Sequence, residues 1–378
     1  MSKFLNHGTA LFALLSVASQ LAAQDVEIVN INVGQGDATL ILGPQPASGN
    51  RVAVLFDAGN IRNPDGGDRV AAVLAQRNVR RLDFVIVSHY DTDHIGGIIA
   101  GDVHGRSFIL GADQAPGRPG DDDGDGAADW LEQPTFYKPD PEELGTGDDI
   151  TVDRFVDRGD ESRPNTQSYW KYRGMAEAQA RRTSLTDRAF LEQFAIDLGG
   201  GARVLALAAN GFVRGRPDRV PQVNTENERS VSVLLTYGQF DFLLSGDMIG
   251  RTAGSENARV EAAVADWLRA NNVSVDVLHA DHHGADNGSA SEFLEAVRPE
   301  VVIVSAGNRN THGHPNENAL QRMFAAGVQR IVQTEWGSTD RTISPEVQQA
   351  IAIYQDDIVI RATQTSYTIS TTRTYPTD

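Results

Sequence analysis

The 378-residue sequence contains no cysteine. Disulfides, thiolate zinc sites and a cysteine nucleophile are therefore excluded, as is lipid attachment to an N-terminal cysteine. Positive charge is also scarce. Against 51 aspartates and glutamates stand 33 lysines and arginines, a formal net charge of −18. That balance favours solubility and cation binding, and it works against a long electrostatic track for nucleic acid. Long apolar runs are missing too: no segment reaches the roughly 18 residues a membrane-spanning helix needs.

The longest apolar run lies at the start. Lys3 precedes Ala10–Ala18, and the small-residue segment Leu21-Ala22-Ala23 follows. This order of positive, apolar and small residues predicts a signal peptide over residues 1–23, cleaved close to Ala23. The expected product is an exported protein, periplasmic or extracellular, with no membrane anchor and of unknown oligomeric state. Without disulfides it must be held by its core, 40% of its residues being hydrophobic.

Past the leader, strand-like alternation runs through Val26–Val33, Ala38–Leu42 and Val52–Phe56, and Asp83–Ser88 reads as a buried strand. Arg69–Gln76 suits a helix. The pattern loosens between about residues 101 and 201, where Pro, Gly and Asp are frequent, and a loop-rich insertion is expected there. Strands resume at Ala202–Leu207, Ser230–Leu235 and Phe240–Ser245. A helix over Glu261–Ala270 follows, then strands at Val275–Leu278 and Val301–Val304, and Ile358–Thr371 closes as a hairpin. One α/β (α+β) domain over residues 25–375 accounts for this order.

The chemistry concentrates in His89-Tyr90-Asp91-Thr92-Asp93-His94-Ile95-Gly96-Gly97, directly after the buried strand. Four imidazole and carboxylate groups within six residues can converge on one point, and both donor types suit zinc or manganese. A solvated turn is the alternative, but such dense polarity after an apolar strand argues for a ligand.

The pattern His89-x-Asp91-x-Asp93-His94 resembles the signature of the metallo-β-lactamase superfamily, and further matches point to the hydrolase domain of ComEC-type competence (DNA-uptake) proteins. Val33-Gly34-Gln35-Gly36-Asp37-Ala38 is similar to that group's opening motif and Asp57-Ala58-Gly59 to its second. Asn227-x-x-Ser230, Leu244-Ser245-Gly246-Asp247, His282-His283-Gly284 and Asn310-x-His312-Gly313-His314-Pro315 resemble the later blocks. The resemblance implies a four-layer αββα sandwich with a metal centre at the edge of two sheets. It implies that His89 and Asp91 hold one ion. Asp93, His94 and either His282 or His283 would hold another, with Asp247 bridging. Asp37, Asp57 and Asn227 would orient these ligands through hydrogen bonds. Catalytic roles fall to Asp93, steering a metal-activated water, and to His314, donating to the substrate. His279 reads as structural, as does His104.

Two departures matter. Asp91 and Asn227 stand where β-lactamase-type members carry histidine, so the implied pair of divalent ions, Zn or Mn, meets a harder, oxygen-rich set and one ion binds more weakly. Within the insertion, Asp121-Asp122-Asp123-Gly124-Asp125-Gly126-Ala127-Ala128-Asp129-Trp130-Leu131-Glu132 matches a twelve-residue calcium loop. Its ligands would be Asp121, Asp123, Asp125, the Ala127 carbonyl, Asp129 and Glu132. A solvated acidic linker is the other reading. The expected function is metal-dependent hydrolysis of a small-molecule or polymeric phosphodiester. Nucleic acid is a candidate that the charge does not support, although Arg181-Arg182 and Arg214, Arg216 and Arg219 could give local anion contacts. Hydrolysis of a lactam, lactone or ester, and metal binding without turnover, are the alternatives.

Overall fold

The computed structural model describes residues 25–60, 66–99, 150–179, 182–250, 259–308, 310–338, 341–370 and 374–376. The leader, His104, the candidate calcium loop Asp121–Glu132 and Arg181 lie outside the described residues.

Alternation along the strands sorts side chains between two faces, because successive residues point to opposite sides of a sheet. Val26 and Ile28 enter one core while Val29 and Ile31 enter another, and Ile41 separates from Leu40 and Leu42 in the same way. Among the described residues the first sheet has nine strands. One side of it, from the hairpin Ile358–Ala362/Ser366–Ile369 through Val26–Asn30 and Thr39–Leu42 to Ala53–Phe56, is antiparallel. The other side continues in parallel through Phe84–Ile86, Phe155–Asp157 and Thr183–Ser184. The second sheet repeats the plan. Ala202–Ala209, Ser232–Tyr237 and Phe240–Leu244 are antiparallel, followed by parallel Val277–His279, Val301–Val304, Arg330–Gln333 and Ile351–Ile353.

The sheets face each other across one apolar core that takes Phe56 and Ile86 from the first and Val233, Phe242 and Ile303 from the second. A second core lies between the first sheet and the helices Gly66–Gln76, Thr92–Ile99 and Gln167–Gln179, taking Val70, Ile95 and Tyr172 from them. A third packs Arg259–Ala270, Ser291–Val297 and Glu317–Ala325 on the second sheet through Val264, Phe293 and Leu320. Helix, sheet, sheet and helix thus form four layers, each burying an apolar stripe or face.

Of the stretch expected as an insertion, residues 100–149 and 180–181 fall outside the described part, but residues 150–179 and 182–199 are woven into the fold. Phe155–Asp157 and Thr183–Ser184 extend the first sheet, and Ala195–Gly199 pairs with Ala202–Ala209 in the second. Buried polar contacts fix this segment. Asp157 accepts from the Tyr172 hydroxyl at 2.8 Å, Arg182 Nε at 2.7 Å and Ser184 Oγ at 2.8 Å. Arg182 is thereby engaged internally. Arg214 likewise donates to the carbonyls of Leu191, Glu192, Phe194 and Ala206, and Arg219 pairs with Glu161. Among the described residues, no helix is long and apolar enough to cross a membrane.

Candidate metal centre

Parallel strands of both sheets deliver their C-terminal ends to the same edge of the sandwich, the place where α/β folds collect polar loops. From the first sheet, Ala53–Phe56 runs into Asp57 and Phe84–Ile86 into Ser88-His89, after which Thr92–Ile99 begins with Asp93 and His94 in its first turn. From the second, Phe240–Leu244 runs into Ser245-Gly246-Asp247 and Val277–His279 into the turn Asp281–Gly284. Close backbone contact requires glycine at the joints. A Cβ on Gly36 would lie 2.2 Å from the Asp93 carbonyl oxygen, and one on Gly246 would lie 2.6 Å from Ser88 Cβ.

Asp247, 3% exposed, stands at the centre. Its Oδ1 lies 3.2 Å from His94 Nε2 and 3.3 Å from His283 Nε2, and His283 Nε2 is 3.4 Å from Asp93 Oδ2. Its Oδ2 faces a different group, with Asn227 Nδ2 at 3.3 Å, His282 Nε2 at 3.6 Å and His89 Nε2 at 3.9 Å. Asp91 Oδ2 is 3.5 Å from His89 Nε2. One carboxylate therefore presents its two oxygens to two sets of donors.

The imidazoles are aimed from behind. His94 Nδ1 lies 2.9 Å from Asp57 Oδ2, and Asp57 also accepts from Ser88 N at 2.7 Å and Ser88 Oγ at 2.6 Å. His89 Nδ1 meets Ser88 Oγ at 3.0 Å. His283 Nδ1 meets the Ser305 carbonyl at 3.2 Å and Asp37 Oδ1 at 3.3 Å. Asp37, His94, Asp247 and His283 form one buried group with candidate ligand atoms within 4.8 Å of one another, but the Asp37 oxygen addresses the Nδ1 side of the His283 ring. Its place is behind the histidine. With Nδ1 engaged, Nε2 of each ring is left for the centre, the arrangement typical of metal-ligating histidine.

Buried polar atoms normally find partners. Here Nε2 of His89, His94 and His283 and Oδ1 of Asp247 make no well-aligned hydrogen bond, although they crowd together at 3.2–3.9 Å. Such orphans converging on a carboxylate fit a divalent cation. The electrostatics agree. Burial alone would raise the Asp247 carboxyl, but the positive charge of His283 and His94 holds it well below the usual range. Burial likewise opposes ionisation of Asp93, and His283, with Nε2 3.4 Å away, together with the His94 charge overcomes it. Burial disfavours charge on His94 and His283, yet Asp247, Asp57 and Asp37 raise both well above an ordinary histidine. The pocket demands positive charge, which protons supply when no ion does.

His314, 9% exposed, stacks on His283 at 5.8 Å between centroids and meets His282 edge-on at 5.1 Å, and its buried Nδ1 has no partner. Burial and the neighbouring His283 and His282 push it down to about 3. It is neutral at physiological pH and can offer a ring N–H as a hydrogen bond but not as a charged acid. His312 is exposed, 5.9 Å from His314. His279 is buried against Ser305 Oγ at 2.9 Å.

Three contributors escaped the motif reading. Gln35 Nε2 donates to Asp93 Oδ2 at 3.4 Å and its Oε1 accepts from Asn310. Glu226 accepts from Tyr90 N at 3.0 Å and from Arg158 at 2.8 and 2.5 Å, tying the His89 loop to the segment that carries Asn227. Arg158 itself lies over the Tyr90 ring at 4.5 Å. Gln35 sits inside the opening motif, but nothing in the sequence marks Arg158 or Glu226.

A four-layer αββα sandwich with a His/Asp cluster at the common edge of its sheets is the metallo-β-lactamase fold. Within it the chain is similar to competence proteins. It is 24% identical over 305 residues to the competence protein ComA of Neisseria gonorrhoeae, covering 80% of this chain and 30% of that protein. With ComE operon protein 3 of Bacillus subtilis (strain 168) it shares 26% identity over 119 residues, covering 32% and 14%. The chain spans less than a third of the length of these relatives. No protein-family model matches it. Among solved structures it is similar to a diphosphatase from the PhnP family, with 11% identity, a TM-score of 0.37 and coverage of 88% and 96%. It is also similar to the MIM-2 metallo-β-lactamase, with 16% identity, a TM-score of 0.29 and coverage of 80% of each chain.

Proposed function

We propose that the chain is an exported metal-dependent hydrolase that cleaves phosphodiester bonds with water. The observation that carries this reading is the division of Asp247 between two donor sets, each completed by unpartnered imidazole nitrogens. Divalent ions, Zn or Mn, would be held by His89 and Asp91 on one side and by Asp93, His94 and His283 on the other. When bound they supply Lewis acidity, polarising a phosphoryl oxygen and lowering the pKa of a water.

The chain's own groups do the rest. Asp93 remains anionic and, at 23% exposure, faces the opening, where it can accept a proton from water and orient it. His314 offers its ring N–H to a phosphate oxygen. Asp57, Ser88 and Asp37 hold the imidazoles still. Oxygen-rich Asp91 and Asn227, in place of histidines, favour phosphodiesters over lactams, lactones or esters. Likeness to competence proteins favours a nucleic-acid phosphodiester among the substrates, engaged locally because of the −18 charge.

The test is hydrolysis of bis(p-nitrophenyl) phosphate and short oligonucleotides with Mn²⁺ or Zn²⁺, beside Asp93→Ala and His94→Ala. The expected loss in either variant is at least 100-fold. Turnover of nitrocefin or esters alone would move the assignment to those substrates. Wild type as inert as the variants toward all of them would leave a metal-binding protein without catalysis.

A further inference from the structure

His282 is the one histidine of the cluster to which the sequence motif gives no separate task, since His283 meets Asp93, His94 and Asp247 Oδ1 unaided. Its setting nevertheless repeats that of the other three. His282 Nδ1 lies 2.7 Å from Asn287 Oδ1, an acceptor, so Nδ1 carries the proton and Nε2 is left with its lone pair. That lone pair faces Asp247 Oδ2 at 3.6 Å. Two electron-rich atoms turned toward each other need positive charge or a donor between them, and the amide of Asn227 is there, 3.2 Å from Nε2 and 3.3 Å from Oδ2.

The backbone shows the same intent. His282 (φ 51°, ψ 46°) and His283 (φ 55°, ψ 25°) are consecutive left-handed residues, a conformation that non-glycine residues rarely adopt twice running. The double turn, anchored by His282 N to the Gly246 carbonyl at 3.0 Å, brings two adjacent rings onto the two oxygens of one carboxylate.

Resting on the metal-centre reading above, we propose that His282 is a ligand of the ion held by His89, Asp91 and Asp247 Oδ2, supplying the nitrogen that Asn227 does not.

The test is metal stoichiometry and affinity, independent of turnover. The full chain, stripped with chelator and checked by circular dichroism, is titrated with Co²⁺ and followed by calorimetry and d–d absorption. Wild type should bind two ions. His282→Gln and Asp91→Ala should each weaken the same ion at least tenfold. The double variant should lose no more than that ion, because both residues serve it. Asn287→Ala, which keeps the imidazole but frees it to rotate, should weaken that ion severalfold.

Two ions bound by His282→Gln with wild-type affinity would overturn the proposal. So would loss of both ions in the double variant, or a wild type that binds a single ion indifferent to His282. Two bound ions without phosphodiester turnover would sink the functional assignment and leave His282 in place.

Discussion

Asp57→Asn tests how the centre is held. Asp57 is fully buried and adopts φ 56°, a region asparagine enters as readily as aspartate, so the backbone is undisturbed. The side chain has no such freedom. All three of its close partners (Ser88 N, Ser88 Oγ and His94 Nδ1) lie within 2.9 Å, and an amide NH₂ must confront one of them. Facing Ser88 N, it sets two donors together and leaves a buried group unsatisfied, at about 1–3 kcal/mol of folding stability. Facing His94, it drives the imidazole proton to Nε2 and removes the lone pair aimed at the centre.

Disrupting a group that orients a ligand costs about 10–100-fold in metal affinity, or about 1.4–2.8 kcal/mol at 1.4 kcal/mol per decade. The same amount should vanish from the thermal stabilisation that metal confers at saturating concentration. Zn²⁺ affinity by chelator competition, with melts in metal and in chelator, reads both effects. Wild-type affinity in Asp57→Asn would refute the argument that Asp57 fixes the His94 ring.

Two further outcomes follow from buried charge. Arg158→Met removes a guanidinium with no exposed side-chain surface and strands Glu226, so urea unfolding should show about 3–5 kcal/mol lost; Arg158→Lys should recover part of it. Asp241 is pushed up to about 7 by burial, against an ordinary 3.8. Because the folded state holds its proton more tightly, the stabilisation is complete below pH 3.8 and lost as pH rises through about 7. That rise in pKa corresponds to at most ~4 kcal/mol, reduced to about 1–2 kcal/mol by partial exposure. Asp241→Asn should therefore be the more stable protein at pH 8 and equal to wild type near pH 4, measured by denaturant midpoints at both.

Much of this architecture was legible in the sequence, and the reason is periodicity. Strands such as Ala202–Ala209 and Val301–Val304 are long or apolar enough to declare themselves, and the helix Arg259–Ala270 carries a clear apolar stripe. Phe155–Asp157 and Thr183–Ser184 are too short for an alternating pattern and lie among prolines and charges, so their place in the first sheet was hidden. The site divides in the same way. His89 to His94 stand out because they are adjacent. The ring directions of His282 and His283 depend on two left-handed backbone angles that no spacing records. The Arg158–Glu226 pair joins residues 68 positions apart and has no motif at all.

The donors of the centre are shared between the sheets: His89, Asp91, Asp93 and His94 come from the first, Asp247, His282 and His283 from the second. Neither half of the chain owns a complete set, and Asp247 follows Asp93 by 154 positions. The early segment by itself carries only the His89–His94 side of the candidate ligands. The candidate ligand set is assembled only when the two halves close on each other, so a partial chain holds one side of the centre without the other.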